Sequence, residues 1–284
     1  MINIKVKVEL IDQEPVKIYR MSTLDLQENP VMWVSAFLID GLLIDCGHHH
    51  AKELLLKKLD FDEIELCILS HHHEDHYGSA RVLMNKYDIP VFASKETAYL
   101  IQPKIRIPPE RMLVWGIPES CKVNILPNLQ EIKTSKTKFK IIPSPGHCNN
   151  LISFFHKKEG ILFSTDAMID KKQSVIFYWE NANLMLETFK KFKALRPEYL
   201  YSSNSNIFSY EDLDHLIEYW INIKEKSAKL HSTGLKPREI VKRVFGKESW
   251  LKTSTRGDIS RENLIRSLLH LPPIFKKRRM KKTI

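Results

Sequence analysis

Short apolar runs dominate the first two thirds of the chain, and their period changes along it. Residues 2–8 alternate apolar and polar, as a half-buried strand does. Residues 31–39 and 42–44 are mostly apolar and flank Asp40-Gly41, a pair suited to a two-residue hairpin turn. Residues 51–59 then carry leucines at helical spacing. Residues 64–69 form a short run that fits a buried strand, and 78–87 return to helical spacing. The alternation resumes with a strand at 139–142, a hairpin of 151–155 and 161–163 across Glu159-Gly160, and a late strand at 198–201. From about Ser209 the period becomes helical, with helices predicted at 210–229, 236–245 and 260–271, the last opening after the good caps Asp258 and Ser260. This pattern predicts an α/β domain over residues 1–206, a helical region over 207–275 and a tail over 276–284.

Composition narrows the class. At 284 residues, 43% hydrophobic and 27% charged, the chain can bury one large core and is too apolar to be disordered. The net charge of +10 suggests an acidic partner until its location is considered: Lys276, Lys277, Arg278, Arg279, Lys281 and Lys282 supply six of the ten charges. The rest of the chain is left at only about +4. A solvated terminus accounts for such a tail, and a nucleic-acid contact is the alternative that is not favoured. Cys46, Cys67, Cys121 and Cys148 are scattered, without the spacing of a zinc knuckle or a disulfide framework. No segment approaches the ~18 apolar residues of a membrane span, and residues 2–8 do not read as a leader. The expectation is a cytoplasmic protein with reduced thiols, acting on a small molecule, with no membrane contact and an oligomeric state left open.

The chemistry concentrates at Ser70-His71-His72-His73-Glu74-Asp75-His76, where four imidazoles and two carboxylates leave a buried strand. Such a cluster calls for a cation. Alternate residues of an extended segment point the same way, so His71 and His73 can converge on one metal while Asp75 and His76 turn toward a neighbouring position. A second triplet, His48-His49-His50, reads as a polar loop opening the helix that follows.

The pattern His71-X-His73-X-Asp75-His76 resembles the defining motif of the metallo-β-lactamase superfamily. Three further segments are similar to that family in the same order: Leu43-Ile44-Asp45-Cys46-Gly47, Pro145-Gly146-His147 and Phe163-Ser164-Thr165-Asp166. The resemblance covers about residues 30 to 206 and implies a four-layer αββα sandwich, here with a C-terminal helical appendage. It further implies a first metal site of His71, His73 and His147, a second site entered by Asp75 and His76, and Asp166 as the bridge. Asp45 is read as a hydrogen-bond partner of a ligand histidine. Three neutral imidazoles leave a cation its full charge and an open position, so a bound water can approach a pKa of ~7 and act as hydroxide. Asp75 and Asp166 would orient that hydroxide and move its proton.

The resemblance breaks at one point. The family usually supplies a further histidine after a late strand, whereas this chain has Ser202-Ser203-Asn204-Ser205-Asn206, with Asn204 as the expected occupant. An amide oxygen binds zinc more weakly than imidazole does. The expectation is therefore one zinc at the three-histidine site, with a second weak site, recruitment of His215 or His231, or iron as alternatives. Substrate loops are sought at 99–118, which holds Arg106, Arg111 and Trp115, and at 174–179, which holds Phe177, Tyr178 and Trp179; both read first as surface or packing segments. A metal-dependent hydrolase of a small ester, thioester or lactone is the first reading. A phosphodiesterase or nuclease, a mononuclear iron oxygenase similar to persulfide dioxygenases, and an inactive binding module are the alternatives.

Overall fold

The computed structural model describes residues 4–274, so the basic tail at 276–284 lies outside the described residues. The first sheet has seven strands in chain order: β1 (Val6–Gln13), β2 (Val16–Thr23), β3 (Val34–Ile39), β4 (Leu42–Ile44), β5 (Leu66–Leu69), β6 (Val91–Ala93) and β7 (Asn124–Ile125). The strands from β1 to β4 pair antiparallel, and β4 through β7 run parallel. Parallel neighbours need a crossover, and this is where the helices fall. Helix α1 (Lys52–Leu56) joins β4 to β5, α2 (Ala80–Lys86) joins β5 to β6, and α3 (Lys95–Ile101) with α4 (Pro109–Trp115) joins β6 to β7.

The second sheet contains β8 (Glu131–Lys133), β9 (Lys138–Pro143), β10 (Ile152–His156), β11 (Ile161–Thr165), β13 (Tyr199–Ser202) and β14 (Ile207–Ser209), in the order β14-β13-β11-β10-β9-β8. Its one parallel pair, β11 with β13, is bridged by α5 (Ala182–Leu195). A short ribbon pairs β12 (Ile176–Phe177) with β15 (Ile259–Ser260). The remaining helices are α6 (Tyr210–Ser232), α7 (Pro237–Phe245), α8 (Leu251–Ser254) and α9 (Arg261–Leu268). Ser209 caps α6 with a reciprocal Asp212 contact, and Ser260 caps α9 by accepting from the Asn263 N–H.

Side-chain alternation sorts these strands into four layers. Phe37, Ile44 and Ile68 of the first sheet meet Phe139, Phe154, Phe163 and Tyr201 of the second, forming a dry interior between the sheets. Neighbouring positions point outward: Leu43, Cys67 and Leu69 pack with Leu55, Leu83 and Ile101 of α1, α2 and α3. On the opposite outer face Leu162 and Leu200 pack with Phe189, Phe192 and Trp220. The expected αββα sandwich with C-terminal helices is the observed architecture. The pattern change near residue 206 is not a gap in packing, because Trp220, Ile240 and Leu264 share one apolar cluster with Met185 and Phe189 of α5.

The strand ends that carry function sit along one rim. Asp45 follows β4, Ser70 follows β5, the 144–151 turn joins β9 to β10, Asp166 follows β11 and Ser203 follows β13. The loops are tied together: across the sheets the Ile152 N–H donates to the Ser70 carbonyl at 3.0 Å, and within the second sheet the Ser203 N–H donates to the Thr165 carbonyl at 3.2 Å. Asp45 itself, at φ 60°, and Thr165, at φ 49° just before Asp166, occupy the left-handed region. That conformation is costly for a β-branched residue and persists only where the surroundings enforce it.

Backbone crowding behind the rim is strict at Gly78, whose N–H reaches the Gly47 carbonyl at 2.6 Å. A Cβ there would lie 2.3 Å from the His48 carbonyl carbon and 2.5 Å from the His49 nitrogen. Gly78→Ala is expected to cost about 1–3 kcal/mol through forced backbone displacement. A denaturant midpoint equal to that of the unsubstituted chain would show that the loop yields without strain.

Candidate metal centre

Hydrogen bonds on the outside of each imidazole decide which nitrogen faces inward. Asp45 is buried and accepts three hydrogen bonds, each at 2.7 Å, from the Ser70 N–H, the Ser70 hydroxyl and His76 Nδ1. With its proton committed to Asp45, Ser70 Oγ can only accept from His71 Nδ1, 3.0 Å away. His147 Nδ1 lies 2.5 Å from Glu180 Oε1, and the other Glu180 oxygen accepts from the Phe177 N–H at 2.7 Å. The outward nitrogens of His71, His76 and His147 are thus donors, so each ring presents its inward Nε2 lone pair once it is neutral, as His71 already is and as His76 and His147 become on losing a proton.

Two of these lone pairs converge with His73. His71 Nε2 and His147 Nε2 lie 3.0 and 2.9 Å from His73 Nδ1. His73 Nδ1 carries at most one proton and can satisfy only one of those neighbours, so without a cation the remaining pair sets lone pair against lone pair. Asp166 Oδ2 approaches the same point, 3.2 Å from His147 Nε2 and 3.7 Å from His71 Nε2. All four ligand atoms lie within 4.8 Å of one another. Donors around a tetrahedral zinc are separated by about 3.3 Å, so the three nitrogens need to move apart by only a few tenths of an ångström.

A second convergence adjoins the first. His76 Nε2 is buried without a hydrogen-bond partner, 3.4 Å from Asp166 Oδ1 and 3.7 Å from Asp75 Oδ2. Asp166 therefore turns one oxygen to each group, and the Ser203 hydroxyl holds its Oδ1. Asp75 Oδ1 is also buried without a hydrogen bond. Orphaned donor atoms of this kind, together with the crowded imidazoles, fit bound cations.

The electrostatics agree. Burial pushes the His71 and His73 pKa values well below the ordinary histidine value, keeping both rings neutral. Burial also acts to lower the His76 pKa, but Asp166, Asp45 and Asp75 outweigh it and the pKa rises well above normal. His147 follows the same logic, with Asp166 and Glu180 overcoming burial. Burial alone would raise the Asp166 pKa, yet His76 and His147 hold it well below the usual carboxylate range. The pocket is built to hold positive charge.

The late turn departs from expectation. Asn204 donates to the Ile169 carbonyl at 2.8 Å and accepts from the Asn206 N–H at 3.2 Å, so both ends of its amide are engaged locally. It is the preceding residue, Ser203, that touches Asp166. His215 is exposed on α6, and His231 bonds the Leu235 carbonyl at 3.1 Å; neither joins the cluster found among the described residues. His48 is not a loop residue in solvent: it is fully buried, its ring 5.1 Å from Trp115, and burial pushes its pKa down to about 3.

Two participants carried no sequence signal, and a third lies in a segment already singled out for substrate contact. Glu180 lies 33 positions from His147 in an aromatic segment, and Ser203 stands one place before the residue that motif alignment selects. Arg111 on α4 donates to buried Glu74 at 2.5 Å, lies 3.9 Å from Asp75 Oδ1 and stands 5.9 Å over the Trp179 ring. The two segments read as surface elements thus meet at the mouth of the site.

Comparison with known proteins gives the same frame. The sequence model of the metallo-beta-lactamase superfamily matches residues 34–203, a span that includes every residue from Asp45 to Ser203 described above. A hydroxyacylglutathione hydrolase of Buchnera aphidicola is 27% identical over 118 residues, covering 41% of this chain and 39% of the relative. A probable metallo-hydrolase of Bacillus subtilis is 25% identical over 143 residues, covering 49% and 63%. The chain thus spans under two thirds of the length of these relatives. A metallo-beta-lactamase family protein of Thermus thermophilus superposes with a TM-score of 0.56 at 16% identity, covering 93% of this chain and 91% of that one, which shows a shared fold.

Two measurements test the centre. Glu180→Gln should weaken metal affinity about 10- to 100-fold with the fold intact, because it removes the charged partner that orients His147; unchanged affinity would make Glu180 a packing residue. Since His76 and His147 hold their protons more tightly than free histidine, an entering cation must displace them. Affinity is then expected to fall as pH drops, and calorimetry in buffers of differing ionisation enthalpy should register proton release on binding. Binding without proton release would mean that both rings are already neutral.

Proposed function

The chain belongs to the metallo-beta-lactamase superfamily, and from that premise we propose that it hydrolyses a small ester, thioester or lactone with a metal held by His71, His73 and His147. The observation that carries this reading is the convergence of His71 Nε2, His73 Nδ1 and His147 Nε2 at 2.9–3.0 Å, with an Asp166 oxygen alongside. Three neutral nitrogen donors suit zinc better than calcium or magnesium, and iron is the alternative. When bound, such a cation supplies Lewis acidity and lowers the pKa of a coordinated water toward neutrality.

The protein groups divide the remaining work. Glu180 and Ser70 hold His147 and His71 with their inward nitrogens free to donate to a cation, and Asp45 anchors both Ser70 and His76. Asp166 is assigned to both cation positions, and Asp75 with His76 to the second, which lacks an imidazole from the late turn. His73, Asp75 and Asp166 are only partly buried, so they form the open side from which substrate enters. Asp75 and Asp166 are the groups available there to hold or move a proton at their carboxylate oxygens. Likeness to hydroxyacylglutathione hydrolases favours a thioester within the substrate set. The described residues contain no helix long and apolar enough to cross a membrane, and a small-molecule hydrolase of the cytoplasm fits the four free cysteines.

The purified protein should carry about one equivalent of zinc, and His73→Ala should lose both the metal and a chelator-sensitive thioesterase activity. Failure of the folded, reconstituted protein to bind any divalent metal would end this reading.

A further inference from the structure

Beside the candidate metal centre lies a groove of about 500 Å³ formed by α3, the β9–β10 turn and the loop before β8. Its walls are Tyr99, Leu100, Leu129, Pro143, Leu151 and Ile152, and its polar edge is formed by Ser94, Lys95, Glu96, Asn149 and Asn150. Tyr99, Leu100 and Leu129 expose 57%, 41% and 42% of their surfaces and lie together on this one groove, a contiguous apolar patch. We propose that this groove binds the apolar arm of the substrate, an alkyl or aryl chain attached to the ester or thioester that the metal centre cleaves. The inference rests on the hydrolase reading.

Continuity with the centre supports it. The groove's inner corner is Asn150, three residues after His147 and itself buried. Asn150 Oδ1 accepts from His72 Nδ1 at 2.9 Å, and the His72 ring lies 4.7 Å, centroid to centroid, from the ring of His73. On its other side the Asn150 amide donates to Thr97 Oγ1 at 2.7 Å, and Thr97 accepts from Ser94 at 2.9 Å. These contacts place two side chains, Asn150 and His72, between the groove and His73. His72, the one member of the triplet that the metal reading leaves unused, is the inner layer of that wall.

Chemistry narrows the occupant. Lys95 and Glu96 are adjacent and of opposite sign, and the Lys95 ammonium stands 6.0 Å over the Tyr99 ring, so the rim offers a polyanion no net positive charge. The Asn150 amide is tied at both ends, its oxygen to His72 and its nitrogen to Thr97, so only one N–H and one lone pair remain as polar anchorage at that corner. The volume falls in the range of small-molecule sites, whereas a stable protein partner would need a far larger contact surface. A neutral apolar chain matches all three constraints.

The test uses zinc-loaded full-length protein and two thioester series, one lengthening the acyl chain from acetyl to octanoyl and one lengthening the thiol. In one of the series kcat/KM should rise by up to about four-fold for each methylene once the chain is long enough to pass His72. Leu100→Asp and Leu129→Asp should flatten that rise while leaving acetyl-substrate turnover and metal content unchanged. Turnover that is flat along both series overturns the proposal. If no thioester is cleaved, the thioesterase reading fails, and titration with n-octanol then tests the groove alone. Methyl NMR shifts at Leu100, Leu129 and Leu151 that vanish in Leu100→Asp retain it as an apolar site, and no shifts at saturating n-octanol remove it.

Discussion

The site depends first on one buried carboxylate. Asp45 accepts three hydrogen bonds at 2.7 Å, and through them governs two imidazoles on the next loop: His76 directly, and His71 by way of the Ser70 hydroxyl. A histidine can present either ring nitrogen, and only the partner on the far side decides which lone pair is free. Asp45 makes that decision for both rings at once. Its own left-handed backbone at the end of β4 is what turns the carboxylate toward β5, and the parallel register of those two strands brings Ser70 within reach. A hydrogen-bonding group in the wrong place here would misdirect two inward nitrogens together.

The sandwich supplies the rest by placing strand ends of two sheets on one rim. Ligand candidates come from the loops after β5, β9 and β11, and no two of these loops share a hairpin. Their mutual position therefore depends on the apolar interior between the sheets, where Phe37, Phe163 and Tyr201 pack ring against ring. Packing of that density transmits small displacements. A change of side-chain volume in this interior would be felt as a shift of Asp166 relative to His71.

Much of this frame was legible in the sequence, for a physical reason. Strand alternation, the Asp40-Gly41 turn and the histidine spacing are local signals, and the elements they predict at 42–44, 64–69 and 161–163 correspond to β4, β5 and β11 within a few residues. Of the groups that orient the candidate ligands, Asp45 was legible from its place in the motif, whereas Glu180 and Ser203 were not. Glu180 is selected by three-dimensional proximity to His147 and stands beside aromatic residues that carry no metal-binding pattern. Asn204 shows the limit of motif position: it stands where the family's late histidine is expected, yet its amide is turned toward Ile169, and a hydroxyl one residue earlier is what reaches Asp166. His48 was misjudged because a histidine run reads as polar, while burial beside Trp115 makes it a neutral aromatic packing element.

The helical region after residue 207 is best understood through Glu180 as well. The segment bearing Glu180 has little regular structure of its own, only the two residues of β12 before it and α5 after it. It is held from outside: β15 pairs with β12, the Tyr178 N–H reaches the Asp258 carbonyl at 2.9 Å, and Ser267 on α9 accepts from the Ala182 N–H at 2.8 Å. The Ser267 carbonyl accepts in turn from the Asn183 amide at 2.6 Å. A carboxylate that must hold an imidazole within a few tenths of an ångström cannot rest on an unsupported loop. The C-terminal elements therefore act on the chemistry through position: they fix the segment that fixes Glu180, and Glu180 in turn fixes the inward nitrogen of His147.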